Sequence, residues 1–345
     1  MIRLSIMTKM RDEIDEIPAA VERLLKTVPE AIVPVSAALK KLDPSVVVTI
    51  ARGSSDHAAY FLKYAIELEL GLPVASVGPS IASIYGAPMR LAGAAAIAVS
   101  QSGASADIVA MAETARKGGA LTTALVNTLP SPLAGACELA VDIEAGSELS
   151  VAATKSYVNS IVAGLAIVAH WSEDDSLKNA LVRLPEQLSE ALSVDWSEML
   201  ETLSGASSLY MLGRGPTMAI AAEAALKCKE TCGLHAEAYS SAEMLHGPVS
   251  LVDRNFPVIA FAARDAAQAA ITETVASLTA KNTHCFVSSD NAGDAGRLPF
   301  VATGHPLTDA LALIVPYYGF VEALSRRRGF DPDKPVALKK VTVTR

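Results

Sequence analysis

Six consecutive residues, Ser100-Gln101-Ser102-Gly103-Ala104-Ser105, bring hydroxyl, amide and backbone N–H donors together directly after the apolar run of residues 94–99. An apolar run that ends abruptly in small hydroxyl residues and a glycine reads as a buried strand entering a tight turn. Residues 106–113 then read as a helix. A turn of this kind points N–H groups and hydroxyls at a helix N-terminus, where a phosphate is favoured. The expected ligand is therefore a phosphorylated small molecule.

A second set of reactive residues lies far along the chain. Lys227 and Glu230 are three apart and share one face of a predicted helix. A carboxylate there can carry a proton between two atoms of a substrate, and the lysine can tune its charge or bind an oxygen. Spacing alone favours an ordinary surface ion pair over that catalytic role. His246 stands in Leu245-His246-Gly247-Pro248, a loop pattern, and imidazole titrates in the range useful for acid–base work. Gly53-Ser54-Ser55 follows another short apolar run, and Ser55 suits either a substrate contact or a helix N-cap. Cys228 and Cys232 lie one helical turn apart with His235 nearby, but zinc-type spacing is absent, so they read as two buried thiols and no metal is expected.

Composition narrows the class. The chain has 345 residues, 51% of them hydrophobic, and a formal charge of −8. Its only basic block, Arg326-Arg327-Arg328, precedes Gly329 and reads as a helix C-terminus, so no nucleic-acid partner is expected. No charge-free apolar run reaches membrane-spanning length, and the N-terminus lacks a signal-peptide core, which points to a cytoplasmic protein without a membrane partner. The four cysteines do not suggest a disulfide framework in a chain this long.

The elements that must position these residues repeat. Residues 46–55 and 208–217 each give a short apolar strand, a small-Arg-Gly turn and a nearby hydroxyl, followed by alanine-rich helical segments at 58–70 and 219–230. Arg52 and Arg214 lie 162 residues apart, so the repeated unit is a whole domain. Further strands are expected at 94–99, 124–126, 258–261 and 284–287. Alternating strands and helices imply an α/β class, with parallel sheets flanked by helices on both faces. In such sheets ligands bind outside the carboxyl ends of the strands. The expected organisation is an N-terminal helical segment (1–45, with one helix over about 8–27), a first domain (46–173), a helical connector (174–203), a second domain (204–330) and a tail (331–345).

Several motifs in order resemble the sugar isomerase (SIS) family, and within it the isomerase half of glucosamine-6-phosphate synthase. They are the Ser-Gln-Ser-Gly turn, Val151-Ala152-Ala153-Thr154-Lys155, Ala225-Leu226-Lys227-Cys228-Lys229-Glu230, His235-Ala236-Glu237-Ala238-Tyr239 and Glu243-Met244-Leu245-His246-Gly247-Pro248. The likeness runs from about residue 9 to Lys339-Lys340-Val341-Thr342-Val343. It implies two tandem SIS domains in which Ser100, Gln101, Ser102 and Ser105 hold the sugar phosphate. Gly53 and Ser55 would approach the sugar, with Val151 adding a backbone contact. The resemblance gives Glu230 the proton transfer between C1 and C2, beside Lys227, and gives His246 the opening of the pyranose ring. That histidine would reach in from a neighbouring subunit, implying a homodimer. Lys339 aligns with a Schiff-base lysine on a tail that closes the active site, and Lys340 leaves the match ambiguous by one residue. No role is assigned to His235 or Glu237.

Departures from the family pattern bear on the substrate. Ala153 stands where a serine is common, and Ala104 replaces a frequent glutamate. The synthases carry a glutaminase domain with a nucleophilic cysteine, and this sequence shows neither. The implied activity is therefore a deaminating isomerisation of an aminosugar phosphate: glucosamine 6-phosphate and water to fructose 6-phosphate and ammonia. No cofactor is expected, because the substrate's own amine acts as the electron sink. A galactosamine-6-phosphate deaminase and a fructosamine-phosphate deglycase remain alternatives. A non-catalytic sugar-phosphate-binding regulator is the alternative of another class. Its DNA-binding form would need a basic helix-turn-helix that the first 45 residues do not offer, and the presence of Glu230 and His246 weighs against any non-catalytic form.

Overall fold

The structure, a computed structural model, describes residues 7–335 and Leu338. Lys339 and Lys340 lie outside the described residues. The described chain divides into two compact units: an N-terminal unit of residues 19–146 and 156–185, and a C-terminal unit of residues 7–18, 147–155 and 186–335.

The chain begins with α1 (Lys9–Asp15), α2 (Ile17–Lys26), one π-helical turn at Val28–Ile32 and α3 (Val33–Leu42). The single helix expected over 8–27 is thus broken in two. Glu16 caps α1, and α2 restarts at Ile17 with Pro18 in its first turn, where a missing N–H costs nothing.

The N-terminal unit is built on β1 (Val47–Ile50), β2 (Val74–Ser76), β3 (Ala95–Ser100), β4 (Leu121–Val126) and β5 (Leu139–Asp142). All pairings are parallel, in the order β2-β1-β3-β4-β5. The connecting helices are α4 (Ser54–Leu70), α5 (Ser80–Ser83), α6 (Ala106–Lys117) and α7 (Pro132–Ala136), followed by α8 (Lys155–Trp171). β1 and β3 are buried along their whole length, as strands covered on both faces must be. Ile50, Ala96, Ala98 and Val126 pack with Ile108, Met111 and Ala115 of α6 to form a core beneath the carboxyl ends of the strands.

After α9 (Asp175–Leu192) and α10 (Met199–Ser204), the second sheet repeats the plan. It uses β6 (Ser208–Gly213), β7 (His235–Ser240), β8 (Val258–Ala260), β9 (Cys285–Val287) and β10 (Gly296–Arg297), again all parallel. Its order, β7-β6-β8-β9-β10, has the connectivity of the first sheet. The helices are α11 (Pro216–Cys232), α12 (Gln268–Thr279), α13 (Pro306–Ala312) and α14 (Ile314–Arg327). The stretch Pro306–Arg327 is long and apolar enough to cross a membrane, but it is buried inside the protein almost throughout and serves as core. Arg328 ends α14, as the sequence suggested, and its guanidinium donates to the carbonyls of Cys232, Leu203, Ser204 and Ala206 at 2.9–3.2 Å.

The duplication is visible at the backbone. Gly53 caps α4 with φ +57°, ψ −134°, and Gly215 caps α11 with φ +62°, ψ −139°. Residues with a Cβ avoid this region, so an Arg-Gly pair marks both turns.

Candidate active site

In the N-terminal unit the chain leaves β1 first toward β2 and then returns to β3 on its other side. Ligands of doubly wound sheets sit outside the carboxyl ends of the two strands at such a reversal. The Gly53 turn follows β1 and the Ser100–Ser105 turn follows β3, so the two predicted turns flank that point. Gly103, at φ +61°, makes the second turn possible: a Cβ there would lie 2.4 Å from Ser131 Oγ. The Gly103 N–H donates to Ser100 Oγ at 3.1 Å, and the Ala104 N–H donates to Ser102 Oγ at 3.3 Å. Ser105 occupies the N-cap of α6 without making a side-chain cap bond, which leaves its hydroxyl at the helix N-terminus. The geometry suits an anion bound by dipoles and hydroxyls.

Two residues the sequence reading missed brace this turn. Asp107, buried in the first turn of α6, accepts from Arg52 Nε at 2.9 Å and so ties the β1 turn to the β3 turn. At the end of β4, the Asn127 N–H donates to the Gln101 carbonyl, and its side chain holds Ala145 and Gly146 at 2.9 and 2.7 Å. Arg52 was visible as half of the repeat, but its partner could be found only through the fold. Ser55 sits inside α4, two positions beyond the Gly53 cap, so it is not the N-cap. Asp56, one residue on, has its carboxyl pushed up by burial against the opposing influence of His57 and Arg52.

The other predicted residues belong to the C-terminal unit. Lys227 and Glu230 lie on α11, but the pair is not a surface one. The Lys227 side chain is fully buried, with Glu223 Oε1 at 3.3 Å on one side and a close contact to Glu230 Oε2 on the other. Glu223 is fully buried too and accepts from Tyr318 Oη at 3.4 Å. Burial alone would depress the Lys227 ammonium, but the two carboxylates overcome it and hold its pKa above the ordinary lysine value. Lys227 therefore grips Glu230 and does not present its ammonium to solvent. Glu230 keeps 21% of its side chain exposed, enough for a carboxylate oxygen to face a substrate. Glu223 lies one turn before Lys227, so the i, i+4 spacing could have revealed it.

Glu230 does not belong to the carboxyl-end crevice of its own sheet. It lies fourteen residues beyond Pro216 along α11, about 20 Å from the Gly215 turn at 1.5 Å per residue. The turn after β8 has also lost the hydroxyls of its counterpart, running Phe261-Ala262-Ala263-Arg264. Arg264 there is paired with buried Asp309 at 3.2 Å. Val151 is half-buried in the 147–155 segment, which packs within the C-terminal unit. His246 is exposed at the end of a 3-10 turn, Glu243–His246, next in sequence to the exposed Leu245. Cys228 and Cys232 are buried within α11, with Cys228 Sγ 3.1 Å from Tyr317 Oη. His235 begins β7 and meets Ser208 Oγ through Nδ1 at 2.7 Å.

Comparison with known proteins bears directly on this arrangement. The SIS domain model matches residues 43–170 and 202–295, one segment over each sheet. The chain belongs to the SIS domain family. It is 32% identical over 320 residues to a glutamine–fructose-6-phosphate aminotransferase (isomerizing) of Symbiobacterium thermophilum, a match that covers 86% of this chain and 51% of that protein. The chain thus spans about half the length of the curated relatives it matches. Among solved structures, a candidate phosphosugar isomerase of Silicibacter pomeroyi DSS-3 superposes with a TM-score of 0.92 at 54% identity, over 95% of this chain and all of that one. A glucosamine-6-phosphate deaminase of Thermotoga maritima gives a TM-score of 0.78 at 18% identity over 97% of this chain and 98% of that one, a likeness of fold.

Proposed function

We propose that this SIS protein is a deaminating isomerase that converts glucosamine 6-phosphate and water to fructose 6-phosphate and ammonia. The observation that carries the reading is Glu230: a partly exposed carboxylate held by a buried lysine, on a chain similar to enzymes named glutamine–fructose-6-phosphate aminotransferase (isomerizing). In this reading the Ser100–Ser105 turn takes the phosphate, with Gly53, Ser55 and the Val151 backbone approaching the sugar. His246, contributed by the second copy of a homodimer, moves a proton from the C1 hydroxyl to the ring oxygen and opens the ring. Glu230 then takes the C2 proton while the electron pair moves to the C1 carbonyl oxygen, which is protonated from the substrate's own ammonium group to give an enolamine. The amine lone pair then forms the C2–N double bond as Glu230 returns its proton to C1. The product is the C2 iminium of the ketose. Water adds to it, and ammonia leaves with the nitrogen as fructose 6-phosphate forms. Lys339 remains the candidate for a covalent contact with the ketose carbonyl.

Ammonia and fructose 6-phosphate released from glucosamine 6-phosphate test the reading, with Glu230→Gln alongside. Equimolar products, and a fall of roughly a hundredfold or more in the variant, are expected. Turnover of galactosamine 6-phosphate or a fructosamine phosphate instead would keep the chemistry and change the substrate. No turnover of any of the three would refute it.

A further inference from the structure

The segment that carries Val151 is held in place by the N-terminal helix, far away in sequence. Glu13 of α1 is buried, and its carboxylate accepts from both backbone N–H groups that precede Val151. The Leu149 N–H makes a close contact with Oε1, and the Ser150 N–H lies 3.2 and 3.3 Å from the two oxygens. The Ser150 hydroxyl sits against Oε2 and 3.0 Å from the Ala152 carbonyl, two acceptors between which its single proton is shared. The segment is also stapled to itself by the Thr154 N–H, which donates to Glu148 Oε1 at 3.0 Å. It ends at buried Lys155, which pairs with Glu16, the residue that caps α1.

α1 is in turn fixed at its other end. Asp333 accepts from the N–H groups of Lys9 and Met10 at 2.8 and 2.9 Å, two donors of the first turn that have no partner within the helix. Thr8 caps the helix and bonds Glu322 at 2.9 Å. A short helix anchored at one end therefore presents two carboxylates to one loop at the other. Multiple N–H bonds to a buried carboxylate are directional and charge-assisted, so they fix backbone orientation as well as stabilising it.

We infer that Glu13 is a positioning residue for sugar recognition: it sets the orientation of the Val151 peptide that meets the sugar. The inference rests on the aminosugar-phosphate reading above. It predicts a split between two ligands. In that reading the sugar of fructose 6-phosphate meets the Val151 peptide, whereas inorganic phosphate makes no sugar contact.

The test is equilibrium binding of fructose 6-phosphate and of inorganic phosphate, by calorimetry, to the full chain and to Glu13→Gln. The amide keeps the volume but turns N–H donors toward N–H donors. The sugar phosphate should bind about tenfold or more weakly, while phosphate affinity stays within twofold. Ser150→Ala, a milder change to the same clamp, should show the same split with a smaller loss, and it replaces Glu13→Gln should that variant fail to fold. Equal losses for both ligands, or none for either, would overturn the positioning role. A wild-type protein that binds phosphate but not fructose 6-phosphate, or binds neither, would overturn the functional reading itself and this role with it.

Discussion

Lys227→Met is the sharpest perturbation the structure offers, because it leaves an unbranched side chain only one atom shorter at a fully buried position and removes the ammonium with its charge and N–H donors. The ammonium lies 3.3 Å from the Glu223 carboxylate, which is itself fully buried. At an effective dielectric of about 20, that separation corresponds to an attraction of about 5 kcal/mol. Desolvation offsets much of this in the intact pair, but the variant strands Glu223 without a counter-charge. Removing one partner of a buried pair costs about 3–5 kcal/mol in general, so a loss of that size is expected in the C-terminal unit. The second carboxylate, Glu230, loses its grip as well, so kcat should fall even in the fraction that remains folded. Urea unfolding and turnover of glucosamine 6-phosphate measure the two effects. Glu223→Gln combined with Lys227→Met should recover most of the stability, since the fully buried carboxylate is gone and the one left without its ammonium, Glu230, is partly exposed to water, but not the activity. A single variant within about 1 kcal/mol of wild type, or a double variant no more stable than the single, would refute the argument that Lys227 is held by two carboxylates.

Two further predictions concern the turns and the thiols. Gly103→Ala and Gly53→Ala both force a Cβ onto positive φ, but only the first also drives it into Ser131. Gly53→Ala should cost about 1–3 kcal/mol from strain alone, while Gly103→Ala should cost more and also abolish inorganic-phosphate binding by calorimetry. Burial pushes the thiols of Cys137 and Cys285 up to about 11. Both stay neutral when folded at a pH where the unfolded chain ionises them. The stability they contribute is therefore present below about pH 9 and lost as the pH rises toward 11, by up to about 3 kcal/mol each. Thermal midpoints measured across that window should fall less steeply in a Cys137→Ala, Cys285→Ala double variant than in wild type, and parallel slopes would contradict the assignment.

The sequence by itself determined what depends on short-range pattern. Apolar runs ending in glycine-containing turns marked β1, β3 and β6, because a buried strand must be apolar and the positive φ of Gly53, Gly103 and Gly215 is least strained in glycine. For the same reason the duplication was legible in two Arg-Gly pairs 162 residues apart. The chemistry of the Ser100–Ser105 turn was equally local, since its donors are neighbours in the chain. Burial was not local. Nothing in the spacing of Lys227 and Glu230 distinguishes a solvated pair from one sealed under Tyr318 and Glu223, because the wall is supplied by α14. The break of the first helix lay between the two: Pro18 was in plain view, but its effect depended on where the new helix began. Only the tertiary structure brought Glu13 against Leu149 and Ser150, and Asp107 against Arg52. Sequence patterns report which face of an element is apolar, but which buried carboxylate finds which donor is settled when distant segments pack together and must satisfy one another's polar groups.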